Sequence, residues 1–329
     1  MKLFFCGGLA GEWMSGWQRC QCLKDLGYAV AQFDQERYLF RASLRRPLRV
    51  VTGRFYHPDV VDEFNRDFLE AVCDVQPDVA WVCFQDDNPF GSRPEEQKRW
   101  EIFVAAIPRY HLHFVKRESD LVEFKHRHAK SVRLFRHGFY TALFRPLPPE
   151  KVSPGLRQEV TFVGTPLDRR VSAISDLLVR HKIPLRIYGN RWHRTVVYHR
   201  RKNCFRPAVL GEDYVRVICG SKISLGFVSS SNRDEYTMRT FEIPACKGFF
   251  LAERTPAHQQ LFVEGQEAEF FGSVEECADK IRFYLRADSE RDRIAERGYR
   301  RCLQSDYSLR SSMAKAVAQI RSLGLRPLN

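Results

Sequence analysis

The chain has 329 residues, of which 44% are hydrophobic and 28% charged, and its formal net charge is +13. This composition is typical of a soluble globular protein with about two domains, and it excludes an intrinsically disordered chain. No apolar run approaches the roughly 18 residues that span a bilayer, which argues against a transmembrane protein. The ten cysteines are scattered without a CxxC pair, which favours reduced thiols in a cytoplasmic protein and argues against zinc.

The first half alternates predicted strands with predicted helices, and it begins with a strand rather than a signal peptide. The strands are predicted at 2–5, 28–33, 78–84, 111–115 and 131–135, and the helices at 17–26, 60–73 and 119–128. Residues 41–54 are predicted to form a basic loop. Regular alternation of this kind predicts an α/β fold with a parallel sheet.

Two loops in this half follow predicted strands and carry candidate functional residues. Gly7 and Gly8 begin a glycine-rich loop that either approaches a phosphate or makes a tight turn, because it matches neither GxGxxG nor a P-loop. Asp86 and Asp87 precede an Asn-Pro pair. Their carboxylates can act as a base or bind a metal, and the same residues also suit a simple turn.

Residues 144–158 contain four prolines and are predicted to be an interdomain linker. Beyond it, strands are predicted at 159–163, 184–188, 222–228, 249–252 and 269–271, and helices at 168–181, 213–219, 274–285, 289–303 and 309–320. The pattern predicts two Rossmann-like domains that face each other across a cleft. The predicted boundaries are 1–145, a linker 146–158, 159–305, and a C-terminal helix 306–329 that packs back on the first domain.

The stretch 232–248, NRDEYTMRTFEIPACKG, is a polar loop that runs into a short helix ended by Gly248. Both of its flanks resemble strands, so the loop lies at the carboxyl end of a parallel strand, where ligands bind. Glu242 enters the helix, where the dipole favours a carboxylate, and a carboxylate can accept hydrogen bonds from both hydroxyls of a sugar diol. The alternative is a solvated loop with one capping glutamate.

Residues 177–211 contain nine lysines and arginines and no acid. This local excess of positive charge predicts an anionic partner, which is a ligand phosphate, a nucleic acid or a membrane surface. Trp192, Tyr198 and Phe205 are interleaved with the basic residues, so a nucleic-acid-binding protein remains an alternative.

Several segments match a known family. TMRTFEIPACKGFFLAERTPAHQQLFVEGQEAEFFGSVEECADKIRFYL, residues 237–285, closely resembles the C-terminal half of the CgeB-like, spore-maturation type GT-B glycosyltransferases, which are relatives of the family-4, group-1 transferases. FVG at 162–164, YGNRW at 188–192 and SKISLGF at 221–227 also fit, and DDNPF, IPRY and HGFY in the first half are similar more loosely.

The resemblance implies a GT-B hexosyltransferase that moves a sugar from a nucleotide-diphosphate sugar, with retention of configuration and without a metal or other cofactor. Related enzymes use a Glu-x7-Glu signature, whose second glutamate binds the ribose and whose first contacts the sugar. Glu242 matches the second position, while Asp234 stands at the first and is one methylene shorter, so Glu235 is its alternative.

The same resemblance implies that Arg169 and Arg170 hold the pyrophosphate and stabilise the leaving phosphate. Arg239 or Arg233 is the alternative for this role. If the enzyme inverts configuration, Asp87 or Asp86 is the candidate base. The other predicted donor-binding residues are Gly7, Gly8, Gly164, Thr165, Tyr188, Gly189, Asn190, Trp192, Asn232 and Thr240.

The expected partners are the donor and an acceptor that is a glycan, lipid, protein or nucleic acid. The basic stretch 180–206 is predicted to contact an anionic membrane at its inner face. Trp192 either stacks on the base or packs in the core, and packing is favoured for Tyr188. A non-catalytic GT-B binding module is a further alternative, because Asp234 departs from the signature.

Overall fold

The computed structural model describes residues 2–35, 58–75, 81–90 and 94–324. Contacts divide the chain into two compact units, one made of Met1–Arg136 with Leu309–Asn329 and the other of His137–Ser308. The proline-rich stretch that we predicted as a linker belongs to the second unit, where it forms the short 3-10 helices Pro149–Lys151 and Pro154–Leu156.

The first unit contains two small parallel sheets among the residues that the structure describes. Its strands are β1 (Lys2–Gly7), β2 (Ala29–Asp34), β3 (Val82–Gln85), β4 (Leu112–Val115) and β5 (Val132–Leu134). Its helices before the second unit are α1 (Ser15–Asp25), α2 (Pro58–Val75), α3 (Pro94–Ala106) and α4 (Glu118–His126). β1 pairs with β2, and β4 pairs with β3 and β5. The predicted basic loop 41–54 and residues 78–80 of the predicted third strand lie outside the described residues.

The second unit is built on one six-stranded parallel sheet. Its strands are β6 (Gln158–Val163), β7 (Leu185–Tyr188), β8 (Phe205–Arg206), β9 (Ser221–Gly226), β10 (Phe250–Glu253) and β11 (Glu269–Phe271). Its helices are α5 (Arg170–Val179), α6 (Val196–Arg200), α7 (Gly211–Cys219), α8 (Arg239–Ala245), α9 (Pro256–Leu261), α10 (Val274–Arg286) and α11 (Asp288–Gln304). The strand order is β11-β10-β9-β6-β7-β8, and every pair is parallel.

The last helix, α12 (Leu309–Arg321), belongs to the first unit and packs against α1. The guanidinium of Arg321 lies 5.3 Å from the centre of the Tyr28 ring. None of the helices among the described residues is long and apolar enough to cross a membrane.

The central strands of the second unit are apolar because both faces of the sheet are covered by helices. Val160 and Phe162 on β6 and Ile223 and Leu225 on β9 are almost completely buried in one core. The chain leaves β6 for β7 on one side and later returns to β9 on the other side. The loops that follow β6 and β9 therefore diverge at a topological switch point, which is where open α/β sheets bind ligands.

The end of helix α8 differs from the prediction. Lys247, rather than Gly248, adopts the left-handed conformation that ends the helix, with φ of 58°. Gly248 is required for packing instead, since a Cβ at this position would lie 2.8 Å from Cγ2 of Ile218. Helix α9 begins at Pro256, and its first turn is capped by the hydroxyl of Thr255.

Gly189 allows the loops after β6 and β7 to touch. A Cβ at this position would lie 2.0 Å from the carbonyl oxygen of Gly164. We expect Gly189→Ala to lower the free energy of unfolding by about 2 to 3 kcal/mol, because the backbone must move to relieve the clash. Urea unfolding measures the change. Gly155→Ala is the matched control, since no atom lies within 4 Å of its added Cβ, and a loss as large in this variant would contradict the explanation.

Candidate functional site

The candidate site lies at the carboxyl edge of the second unit's sheet, in the loops after β6, β9 and β10. Backbone groups at the ends of β6 and β7 form one side of the site. There the amide of Gly164 donates a hydrogen bond to the carbonyl oxygen of Tyr188 at 2.9 Å. A Cβ at Gly164 would lie 2.7 Å from the Phe162 ring and 3.3 Å from a guanidinium nitrogen of Arg239. The glycine therefore leaves room for an arginine next to the end of β6.

Two arginines converge at this edge. Arg239, the first residue of α8, donates from Nε to the carbonyl oxygen of Val163 at 2.5 Å. Arg170, the first residue of α5, is 6% exposed and donates from a terminal nitrogen to the carbonyl oxygen of Thr165 at 3.3 Å. Its guanidinium lies 5.8 Å from the centre of the Phe162 ring. Two like charges thus share a partly dehydrated region.

The positive charge and the hydrogen-bond donors of the Arg170 side chain are only partly paired. Burial, followed by the charge of Arg239, lowers its pKa to about 10, while the nearby carboxylates of Asp168, Glu253 and Asp234 act in the opposite direction. Its buried Nε has no hydrogen-bond partner among the described residues. A buried donor without a partner costs about 1 to 3 kcal/mol, and an anion bound here would remove that cost. The arrangement is therefore that of an anion site.

Asp168 joins two loops of the site. Its Oδ2 accepts hydrogen bonds from the hydroxyl of Ser229 at 2.7 Å and from the hydroxyl and amide of Ser231 at 2.9 and 3.2 Å. It does so with φ of 52°, in the left-handed region. The loop after β6 is thereby fixed to the loop after β9, close to Arg170.

Glu242 is a buried carboxylate with one neutral donor. It is 6% exposed, and its Oε2 accepts a hydrogen bond from the hydroxyl of Tyr214 on α7 at 3.2 Å. Burial raises its pKa to about 7, against the opposing effects of Arg239 and the Tyr214 hydrogen bond. We expected the helix dipole to favour its ionised form. Burial outweighs the dipole, because the dipole contributes only about 0.3 to 2 kcal/mol.

The role of Tyr214 can be tested without a ligand. We expect Tyr214→Phe to raise the pKa of Glu242 further, because the lost hydrogen bond favours the ionised carboxylate. The carboxyl ¹³C shift of Glu242, followed against pH, measures the change. Tyr198→Phe is the control: its hydroxyl lies on another element, so the midpoint stays in place. A midpoint unchanged in Tyr214→Phe would show that this hydrogen bond does not act on Glu242.

Thr240, predicted to bind the donor, lies in a buried chain of hydrogen bonds. It is completely buried, and its hydroxyl lies 2.9 Å from Nε2 of His258. The other ring nitrogen of His258 lies 2.7 Å from the carbonyl oxygen of Glu253, which can only accept, so Nδ1 carries the proton and Nε2 accepts from Thr240. This chain of hydrogen bonds ties the start of α8 to the end of β10.

Trp192 and Tyr188 also belong to the core. The Trp192 ring is 1% exposed and donates from Nε1 to the carbonyl oxygen of Gly164 at 2.8 Å. Its ring packs against those of Phe162 and Phe205. In this position the ring has no exposed face for a nucleotide base. Tyr188 is buried at the end of β7, in keeping with the packing role favoured for it.

The remaining predicted residues of this unit surround the site. Asp234 is half-buried, and its amide donates to the carbonyl oxygen of Ser229 at 2.8 Å. Arg233, with φ of 53°, is exposed, as are Glu235, Arg169 and Asn190. Those of intermediate exposure are Thr165, Gly189 and Asn232.

The other predicted residues belong to the first unit. Arg19 contacts Asp86 at 2.6 Å, and Arg117 donates to the Asp86 backbone oxygen at 3.0 Å. Asp87 is exposed beside them. Gly8 lies in a tightly packed turn after Gly7, because a Cβ at Gly16 would lie 2.6 Å from its carbonyl oxygen.

Three residues of the site escaped the sequence prediction. Glu253 accepts a hydrogen bond from the amide of Val228 at 2.7 Å, and burial raises its pKa. It is the last residue of β10, so the same rule that selected other strand ends could have found it. Asp168 directly precedes the arginines and was also accessible. Tyr214 had no such signal, because only tertiary packing brings α7 to Glu242.

Comparison with known proteins finds a family model that matches part of the chain. Residues 169–318, which include all of α5 to α11, match the model of a family described as glycosyl transferase-like. No curated protein is similar enough in sequence to be counted as a relative. Among the described residues, no group of three or more His, Cys, Asp or Glu side chains could hold a metal ion.

Solved structures of low sequence identity share the fold over nearly the whole chain. Sucrose-phosphate synthase from Thermosynechococcus elongatus is 10% identical with a TM-score of 0.67, over 98% of this chain and 99% of that one. HepE from Anabaena, in complex with UDP-glucose, is 13% identical with a TM-score of 0.66, over 98% and 100%. A glycosyltransferase from Rickettsia africae is 11% identical with a TM-score of 0.61, over 98% and 97%. The chain therefore has the GT-B fold, and its residues 169–318 match the model of the glycosyl transferase-like family.

Proposed function

We propose that the chain is a glycosyltransferase that moves a sugar from a nucleotide-diphosphate sugar to an acceptor hydroxyl. The observation that carries the proposal is the buried Arg170, whose Nε has no hydrogen-bond partner in the described part of the chain, beside Arg239 at the carboxyl edge of the sheet. A diphosphate supplies the negative charge and the acceptor oxygens that these two guanidinium groups need. The match of residues 169–318 to a glycosyl transferase-like family supports the same reading.

Each part of the donor has a partner in this proposal. Arg170 and Arg239 bind the diphosphate, and Glu242 accepts hydrogen bonds from the ribose hydroxyls, held by Tyr214. Asp234, or Glu235 if the loop shifts, contacts the transferred sugar. The first donor to test is UDP-glucose, since HepE, which shares the fold, has been solved with that molecule.

The chemical step breaks the bond between the anomeric carbon and the diphosphate oxygen, and the bonding electrons remain on the leaving diphosphate. The acceptor oxygen forms the new bond to the anomeric carbon, and its proton passes to an oxygen of the leaving diphosphate or to a carboxylate base. Arg170 and Arg239 stabilise the charge that develops on the leaving group, in a region where burial strengthens such interactions. A retaining reaction needs no strong protein base, whereas an inverting one would assign that role to Asp87 or Asp86.

The proposal includes finer points that rest on resemblance and composition. The enzyme is a hexosyltransferase of the CgeB-like type, works without a metal and retains configuration. It acts in the cytoplasm, peripherally at the inner face of a membrane, on a glycan, lipid, protein or nucleic-acid acceptor.

Calorimetry with UDP-, GDP-, dTDP- and ADP-sugars tests the proposal, followed by donor hydrolysis or transfer with the donor that binds. We expect one nucleotide class to bind and to turn over in the presence of EDTA. Binding without turnover, on any acceptor class, would favour the non-catalytic binding module. No binding to any of the four classes would overturn the proposed function.

A further inference from the structure

An exposed basic surface lies between β7 and β8 of the second unit, outside the candidate site. It is formed by three short helical turns, Trp192–Arg194, α6 and Lys202–Cys204. We define the basic surface as its six exposed cations, which are Arg191, Arg194, Arg200, Arg201, Lys202 and Arg206. No acidic residue occurs between positions 177 and 211 to neutralise them.

Several other exposed arginines of the same unit are ion-paired. Arg282, Arg293 and Arg300 contact carboxylates at 2.9, 2.5 and 2.7 Å. Within the part of the chain that the structure describes, none of the six has an ion-pair partner, and Arg206 donates only to backbone oxygens, at 2.8 and 3.0 Å. Uncompensated like charges repel one another and destabilise the folded chain. A partner of opposite charge would remove that repulsion.

The basic surface is held on a fixed support. Trp192 and Val197 point into the core, and Phe205 pairs with Ile187 in the sheet. The Thr195 side chain caps α6 by accepting from the amide of Tyr198. The cations therefore project from an ordered base, which reduces the conformational entropy lost when a partner binds.

The side chains among the cations favour a lipid surface over a nucleic acid. The Trp192 ring is buried, and the Tyr198 ring packs against Phe205 with centroids 5.2 Å apart. Two of the three aromatic rings that suggested nucleic-acid binding are therefore buried and the third is packed against one of them, which leaves little aromatic surface for base stacking. Val196, 68% exposed, lies among the cations, and Leu210, 55% exposed, follows them in the chain. Apolar tips amid basic residues suit a membrane interface.

We propose that the basic surface docks the second unit on a membrane that carries anionic phospholipid headgroups. The cations contact headgroup phosphates and Val196 reaches the interface. This inference goes beyond sugar transfer and does not depend on it, because none of the six cations belongs to the candidate donor site.

Sedimentation with vesicles tests the proposal. We expect the full chain to bind vesicles of phosphatidylcholine mixed with phosphatidylglycerol, to bind phosphatidylcholine alone weakly, and to dissociate as salt is raised. Each basic residue near an anionic surface contributes a factor of about five in binding, so Arg200→Ala/Arg201→Ala/Lys202→Ala should lower the partition coefficient roughly 100-fold.

The matched control is Arg282→Ala/Arg293→Ala/Arg300→Ala, which removes the same formal charge from exposed, ion-paired positions on α10 and α11. We expect it to bind vesicles within about threefold of the parent chain. Circular dichroism and thermal unfolding confirm that both variants are folded. An equal loss in both variants would show a response to net charge alone and would overturn the proposal. So would an unchanged basic-surface variant, or tighter binding to a nucleic acid than to anionic vesicles at the same salt.

Discussion

Arg170→Met is expected to weaken binding of the nucleotide-diphosphate donor by roughly 100-fold. Methionine keeps an unbranched side chain over the Phe162 ring but removes the charge and the Nε donor. Charged hydrogen bonds to phosphate contribute about 1.5 to 3 kcal/mol each, which corresponds to a loss of this size. Calorimetry with the donor that binds the parent chain measures the effect.

The neighbouring arginine provides the matched control. Arg169 is exposed and precedes the first residue of α5, whereas Arg170 is buried. Arg169→Met makes the same chemical change one residue away, and we expect donor affinity within about threefold of the parent chain. Thermal unfolding checks that both variants are folded. A loss in Arg169→Met equal to that in Arg170→Met would show that the exposed residue holds the diphosphate and would contradict the assignment.

Glu242→Gln is expected to weaken donor binding by about 100-fold while it stabilises the protein above neutral pH. The native state holds the Glu242 proton more tightly than the unfolded chain, because burial raises its pKa from 4.5 to about 7. The contribution of Glu242 to the stability of the protein is therefore largest below pH 4.5 and is lost as pH rises to about 7. Glutamine removes this ionisation cost, which is at most about 3 kcal/mol.

Two pH series separate these effects. In urea unfolding, the difference between Glu242→Gln and the parent chain should grow between pH 4.5 and about 7 and then remain constant. In calorimetry, donor affinity of the parent chain should rise with pH through the same range, because the ionised carboxylate is the stronger acceptor. The affinity of the variant should not follow this rise. A parent chain with flat profiles in both series would show that Glu242 does not titrate as argued.

The fold was predictable because the sequence patterns that indicate it lie within single strands and the loops that follow them. Buried parallel strands such as β6 and β9 are short apolar runs, and the residues that follow them are polar or glycine. Because ligands bind beyond the carboxyl ends of parallel strands, the loops holding Arg170 and Arg239 could be selected from sequence. The GT-B fold expected from the family resemblance is confirmed by the solved structures that share it.

The roles of individual side chains were less predictable, because distant packing decides them. Trp192 and Thr240 have polar atoms that suit a ligand, yet each is buried and bonded to a residue elsewhere in the chain. The dipole argument for Glu242 used only its own helix, whereas its pKa depends on burial beneath Tyr214 and α7. At the end of α8, the left-handed conformation expected at Gly248 occurs at Lys247. Gly248 instead packs closely against Ile218, which is distant in the sequence.

The most direct test of the central claim is a crystal structure of the chain with the nucleotide diphosphate that binds best in calorimetry. The account predicts that the diphosphate lies within hydrogen-bond distance of Arg170 and Arg239, and that both ribose hydroxyls donate to Glu242. A nucleotide bound away from the carboxyl edge of β6 and β9, or a ribose that does not contact Glu242, would contradict it.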